Sequence, residues 1–112
     1  MKFVGAIWML DTKKFLHVGC GPKYKDSTTP GFASGDWKEV RLDIDESVNP
    51  DIISSVLDLS VIDSESFDAI FSSHNIEHVY AHEVPKMLRE ILRVLKSGGY
   101  FVVNCPNLIP VA

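Results

Sequence analysis

The chain has 112 residues, a formal net charge of −4, 46% hydrophobic and 23% charged residues. That length permits one domain with one modest core, so residues 1–112 are read as a single core domain. The composition excludes a disordered chain, and an acidic balance with no basic run excludes a dedicated nucleic-acid surface.

The chain opens with Met1-Lys2 and an apolar run from Phe3 to Leu10, closed by Asp11-Thr12-Lys13-Lys14. The run is far short of the roughly 20 residues that cross a bilayer. It also lacks a convincing small-residue cleavage site. It is expected to cover the sheet through Phe3, Ile7, Trp8 and Leu10, with no role at a membrane. Phe15 to Val18 then reads as a buried first strand that breaks into Gly19-Cys20-Gly21-Pro22. Two residues without a Cβ let the backbone turn sharply and approach a ligand closely. Ligands of open α/β sheets sit at the carboxyl ends of the strands, so a glycine loop there points to a nucleotide-like cofactor.

Lys23 to Asp36 shows no helical period and reads as a loop, where a doubly wound fold would usually place its first helix. Trp37 to Asp45 is the second strand. Val40, Leu42 and Ile44 alternate with Glu39, Arg41 and Asp43, which predicts one face wetter than usual. Glu46 to Asp51 is a polar turn, too short for a regular crossover helix. Ile52 to Leu57 is the third strand, closed by Asp58. Phe67 to Ser73 is the fourth. A helix follows from about Glu83 to Lys96, with Val84, Met87, Leu88, Ile91, Leu92 and Leu95 on one face. Ser97-Gly98-Gly99 is expected to stop it, with a glycine at the cap. Tyr100 to Cys105 is the fifth strand, ended by Pro106-Asn107.

Short apolar strands, each followed by a polar or glycine-rich loop, predict an α/β fold with a mostly parallel sheet. Right-handed crossovers favour the order 3-2-1-4-5. Four features converge on its carboxyl rim: the Gly19–Gly21 loop, Asp43, Asp58, and the segment Ser72 to His78. An acidic residue about 20 residues beyond a glycine loop is placed to accept ribose hydroxyls, which is the position of Asp43. Asp58, one strand further on, suits an adenine amino group. His74, His78 and His82 are spaced by four, but there is no His-Glu-x-x-His pattern, so no metal is expected. Cys20 and Cys105 do not make a disulfide framework and are read as reduced thiols, which places the chain in the cytoplasm.

Five segments in order resemble the class I S-adenosylmethionine (SAM) dependent methyltransferases, and among them the small methyltransferase type 11 domains. They are Leu16-His17-Val18-Gly19-Cys20-Gly21, Arg41-Leu42-Asp43-Ile44-Asp45, Val56-Leu57-Asp58-Leu59, Ser66 to His78 with its Glu77-His78 pair, and Leu92 to Tyr100. The resemblance covers residues 14–108. It implies a Rossmann-like sheet and SAM as cofactor, held by His17, Gly19, Cys20, Gly21, Asp43, Ile44, Asp58, Leu59 and Ser73. It implies methyl transfer, to an acceptor expected to be a small molecule, with Ser73 and His74 lining the transfer site and His74 or His78 as a base if the acceptor must lose a proton.

The sequence departs from that family at three points. His17 stands where an acidic residue is usual, and Lys23 where a third glycine is common, which also argues against a nicotinamide-cofactor oxidoreductase. The chain ends soon after the fifth strand, without the usual C-terminal antiparallel strands, so a truncated or minimal cofactor-binding core is expected. A non-catalytic SAM-binding or assembly module of the same fold is the alternative. A fifth strand left at the edge predicts a homo-oligomer, a homodimer in the simplest case, formed through Tyr100 to Cys105 and the neighbouring helix face.

Overall fold

The computed structural model describes residues 13–73 and 79–104. The N-terminal run with Phe3, Ile7, Trp8 and Leu10, the histidines His74 and His78, and Cys105 lie outside the described residues. The sheet is built from β1 (Lys13–Val18), β2 (Trp37–Asp43), β3 (Ile52–Ile53), β4 (Phe67–Ser73) and β5 (Leu95–Asn104). Its order is β3-β2-β1-β4-β5, and every pairing is parallel. Parallel strands all point one way, so the loops after β1, β2, β3 and β4 gather on one rim.

The two faces of β1 divide the core. Leu16 and Val18 face helix α2 (Val84–Val94) and pack with Leu42, Ile70, Met87, Ile91 and Val94. Phe15 faces the other way, with Ala69, Phe71 and Phe32. Phe32 sits on a single helical turn, α1 (Pro30–Ala33), inside the segment expected to be loop throughout. Thr29 caps that turn, its hydroxyl accepting from the Phe32 N–H at 3.3 Å, and Pro30 opens it. A Thr-Pro pair is a helix-start signal, because the hydroxyl accepts a free N–H and proline lacks one. The Lys25 ammonium closes the base of the loop on the carbonyls of Ser34 (2.6 Å) and Trp37 (2.8 Å).

The structure corrects several element boundaries. β3 is only Ile52–Ile53. Beyond it, the Leu57 N–H donates to Ser55 Oγ at 3.1 Å, and the Asp58 N–H to the Ser55 carbonyl at 2.9 Å. Serine–backbone bonds of this kind compete with strand pairing. β2 stops at Asp43 and not Asp45, because Asp45 folds back to donate its N–H to Asp43 Oδ1 at 2.9 Å. The β2–β3 turn holds one 3₁₀ turn, Glu46–Val48.

α2 ends at Val94, two residues earlier than expected, and Leu95 is already extended and paired with Phe67. The glycines of Ser97-Gly98-Gly99 therefore serve the strand and not a helix cap. The β4–β5 register shifts between the Phe67–Leu95 and Ala69–Tyr100 pairs. A Cβ on Gly99 would lie 2.9 Å from the Asp68 carbonyl oxygen, so only glycine lets the two backbones close there. Among the described residues, no helix is long and apolar enough to cross a membrane.

Candidate functional site

The glycine loop is fastened to β2 by three alternate residues. Glu39, Arg41 and Asp43 share one face of that strand, as its period of two requires. The Asp43 carboxylate accepts the Gly21 N–H at 2.8 Å through Oδ2 and the Asp45 N–H through Oδ1. The Arg41 guanidinium donates to the carbonyls of Gly21 (2.6 Å) and Lys23 (2.9 Å). Glu39 Oε1 accepts the Lys25 N–H at 3.0 Å. Gly19 (φ 62°) and Gly21 (φ 55°) adopt the left-handed conformation this path needs, which side chains with a Cβ rarely accept. The face expected to be wet is therefore bonded to the loop, and Arg41 is only 3% exposed.

A cleft of about 250 Å³ opens beside this loop. Gly19 forms one end. Leu42, Asp43 and Ile44 at the end of β2 form one wall, and Ser54 to Leu57 after β3 form the next. Val79 and Glu83 ahead of α2 close it. Ile44 is 72% exposed, an apolar side chain held at the mouth. The described lining residues carry two carboxylates, Asp43 and Glu83, and no lysine or arginine. Such a wall favours an uncharged or cationic ligand and repels a phosphate.

Of the residues expected at a cofactor, Gly19, Gly21, Asp43 and Ile44 come together at this rim. Cys20 lies in the same loop but turns inward. Its N–H donates to the Leu42 carbonyl at 3.1 Å, and burial pushes its thiol pKa up, keeping it protonated. Ser73 ends β4 beside Asn104 of β5.

Asp58 follows the Ser54–Leu57 wall but is exposed. Its carboxylate accepts the Ser60 N–H at 3.1 Å, and the hydrogen bonding from Ser60 lowers its pKa. Leu59 is wholly buried in the core against α2. Its carbonyl accepts from Arg93 at 2.8 Å and its N–H reaches Glu90 at 3.3 Å. Among the described residues no group of three or more His, Cys, Asp or Glu could hold a metal ion.

His17 lies on the opposite face from α2, edge-on to Phe71 at 5.2 Å and 2% exposed. Its Nδ1 is 2.7 Å from Glu39 Oε2, and a carboxylate only accepts, so Nδ1 carries the proton. Burial lowers the imidazole pKa, opposed by the Glu39 hydrogen bond. The unfolded chain thus takes up a proton near pH 6.5 that the folded chain takes up only at lower pH. We predict that stability is full above that point and falls as pH drops below about 6.5, until the folded-state pKa is reached. Urea midpoints between pH 7.5 and 5 test this. His17→Gln should flatten the slope in that window, and an unchanged slope would assign it to other groups.

Arg41, Glu39, Glu83 and the Ser54–Leu57 wall were not expected at the site. Alternating polar residues on a strand do not distinguish Arg41 from a solvent-facing residue.

The methyltransferase domain family matches residues 16–103. No curated protein matches the chain. Solved structures share its fold, among them the following three. The first, from Methanococcus maripaludis, is described as a candidate S-adenosyl-L-methionine-dependent methyltransferase. It has a TM-score of 0.67 and 21% identity, over 81% of this chain and 47% of that one. The PH0226 protein from Pyrococcus horikoshii OT3 has a TM-score of 0.64 and 23% identity, over 87% and 50%. A SAM-dependent methyltransferase from Archaeoglobus fulgidus has a TM-score of 0.67 and 18% identity, over 92% and 50%. The chain spans about half the length of each of these solved structures.

Proposed function

Because the chain belongs to the methyltransferase domain family, we propose that its cleft binds SAM and that the protein transfers the methyl group to a small-molecule acceptor. The observation that carries this is Asp43. Its two oxygens are fixed by the Gly21 and Asp45 N–H groups, yet the carboxylate still lines the cleft with lone pairs to spare.

The donor set fits the group. Asp43 offers acceptors for ribose hydroxyls, Ile44 offers an apolar surface for an adenine ring, and the described lining residues carry no cation that would call for a phosphate. Bound there, SAM supplies a methyl group on a positively charged sulfur, which the acidic lining favours. The chain's own part is to bind, orient and exclude water around the reacting atoms. Asp43 and the glycine loop fix orientation, and the Ser54–Leu57 wall shields one side. His74 remains proposed at the transfer site, and His74 or His78 as the base for an acceptor that must lose a proton.

Calorimetric titration with SAM, S-adenosylhomocysteine (SAH) and NAD⁺ tests the binding step. One-to-one binding of SAM and SAH without NAD⁺ is expected; heat with NAD⁺ alone would overturn the reading. The alternative is a module that binds SAM without transferring. It is favoured by the two short turns, a 3₁₀ turn at Lys25–Ser27 and α1, that follow the glycine loop in place of a longer helix. Label transfer from methyl-tritiated SAM to a small-molecule library separates the two.

A further inference from the structure

Arg41 is a buried cation, 3% exposed. Among the described residues, no acidic group lies within ion-pair distance of its guanidinium. Burial of an unpaired charge is costly unless its donors are satisfied. Here four backbone carbonyls satisfy them. Two belong to the glycine loop, Gly21 at 2.6 Å and Lys23 at 2.9 Å. The other two belong to the β2–β3 turn, Asn49 at 2.9 Å and Val48 at 3.2 Å. The Tyr24 ring lies over the guanidinium, 4.0 Å away.

The backbone of Arg41 holds the same turn, its N–H donating to Asp51 Oδ2 at 2.8 Å and its carbonyl accepting the Asp51 N–H at 2.9 Å. The Gly21 residue is therefore gripped from both sides, its N–H by Asp43 and its carbonyl by Arg41.

We propose that Arg41 is a positioning residue of the cleft: one guanidinium locks the glycine loop to the β2–β3 turn, so that ligand affinity depends on it beyond its share in stability. The inference rests on the adenosyl reading of the cleft. A planar fork with five N–H donors can reach two pairs of carbonyls at once, whereas a lysine ammonium has three donors on a single atom. Losing charge-assisted bonds on both sides should free the two segments together.

The test compares Arg41→Lys with Val94→Ala, a core change in α2 that touches neither segment, at a temperature where circular dichroism shows both variants folded. Arg41→Lys should weaken SAH binding by about tenfold or more. It should also speed amide hydrogen exchange in 20–25 and 46–51 together. Val94→Ala should lower the melting temperature and leave SAH affinity unchanged.

Should Arg41→Lys not fold, Tyr24→Ala removes the exposed ring over the guanidinium and should move both readouts the same way by a smaller amount. Affinity within twofold of the parent protein, an equal loss in Val94→Ala, or faster exchange in only one segment would overturn the proposal. If the parent protein binds no SAH, the adenosyl reading falls, and joint loosening on exchange decides whether Arg41 couples the two segments.

Discussion

Asp43→Asn is expected to weaken SAH binding by roughly a hundredfold, which corresponds to about 2.7 kcal/mol. Two N–H donors, from Gly21 and Asp45, each point at one oxygen of the Asp43 carboxylate. An amide keeps one oxygen and presents an NH₂ to the other donor. One backbone N–H must then go unpaired or the loop must shift, at a cost of about 1–3 kcal/mol. The same substitution removes an acceptor from the cleft wall, so the loss falls on binding more than on folding. Calorimetry on the parent protein and variant measures it, alongside urea denaturation. A variant that binds SAH within about threefold of the parent protein would remove Asp43 from the site.

The largest effect on stability is expected at Phe32→Ala, at about 3–5 kcal/mol. Phe32 stacks on Phe15 at 4.5 Å and meets Trp37 edge-on at 4.9 Å and Phe71 at 5.9 Å. Such aromatic pairs add to the gain from burial alone. It is also the one buried residue between Lys23 and Asp36. The short turn α1 exists to deliver it, and without it one face of the sheet around Phe15 and Phe71 loses its plug. Denaturant midpoints measure the loss. A variant as stable as the parent protein would mean that the Phe15 face is covered by other parts of the chain.

What could be read from the sequence follows from the range of the interactions involved. β4 appears in the structure with the bounds its apolar run predicts, Phe67–Ser73, and the strand order 3-2-1-4-5 follows from handedness and short connections. Both depend on local pattern. The end of α2 did not, because Leu95 continues the helical period yet pairs with Phe67 as a strand residue. Tertiary pairing decides between two local readings that are equally apolar. β3 is cut short because Ser55 turns the chain through its own backbone contacts.

That Gly19, Gly21 and Asp43 gather on one rim was legible from glycine spacing and strand-end position, whereas Ile44 entered only with the family resemblance. The ladder of Glu39, Arg41 and Asp43 was not. Alternating polar residues on a strand have the same pattern whether they face water or a loop folded back over them. The partners here lie in 21–25 after the preceding strand, in the turn that follows β2 and at His17 on β1, and a period of two carries no record of them.

We propose that an adenosyl ligand lies between the glycine loop and the end of β2. That placement is tested most directly by following backbone amide resonances during titration with SAH. Gly19, Gly21, Asp43, Ile44 and Ser54 to Leu57 are expected to shift together and saturate at one equivalent, while Ser64, Glu65 and Ser97 to Gly99 at the opposite rim stay still. Saturation that leaves Gly19, Gly21 and Asp43 unmoved would contradict it.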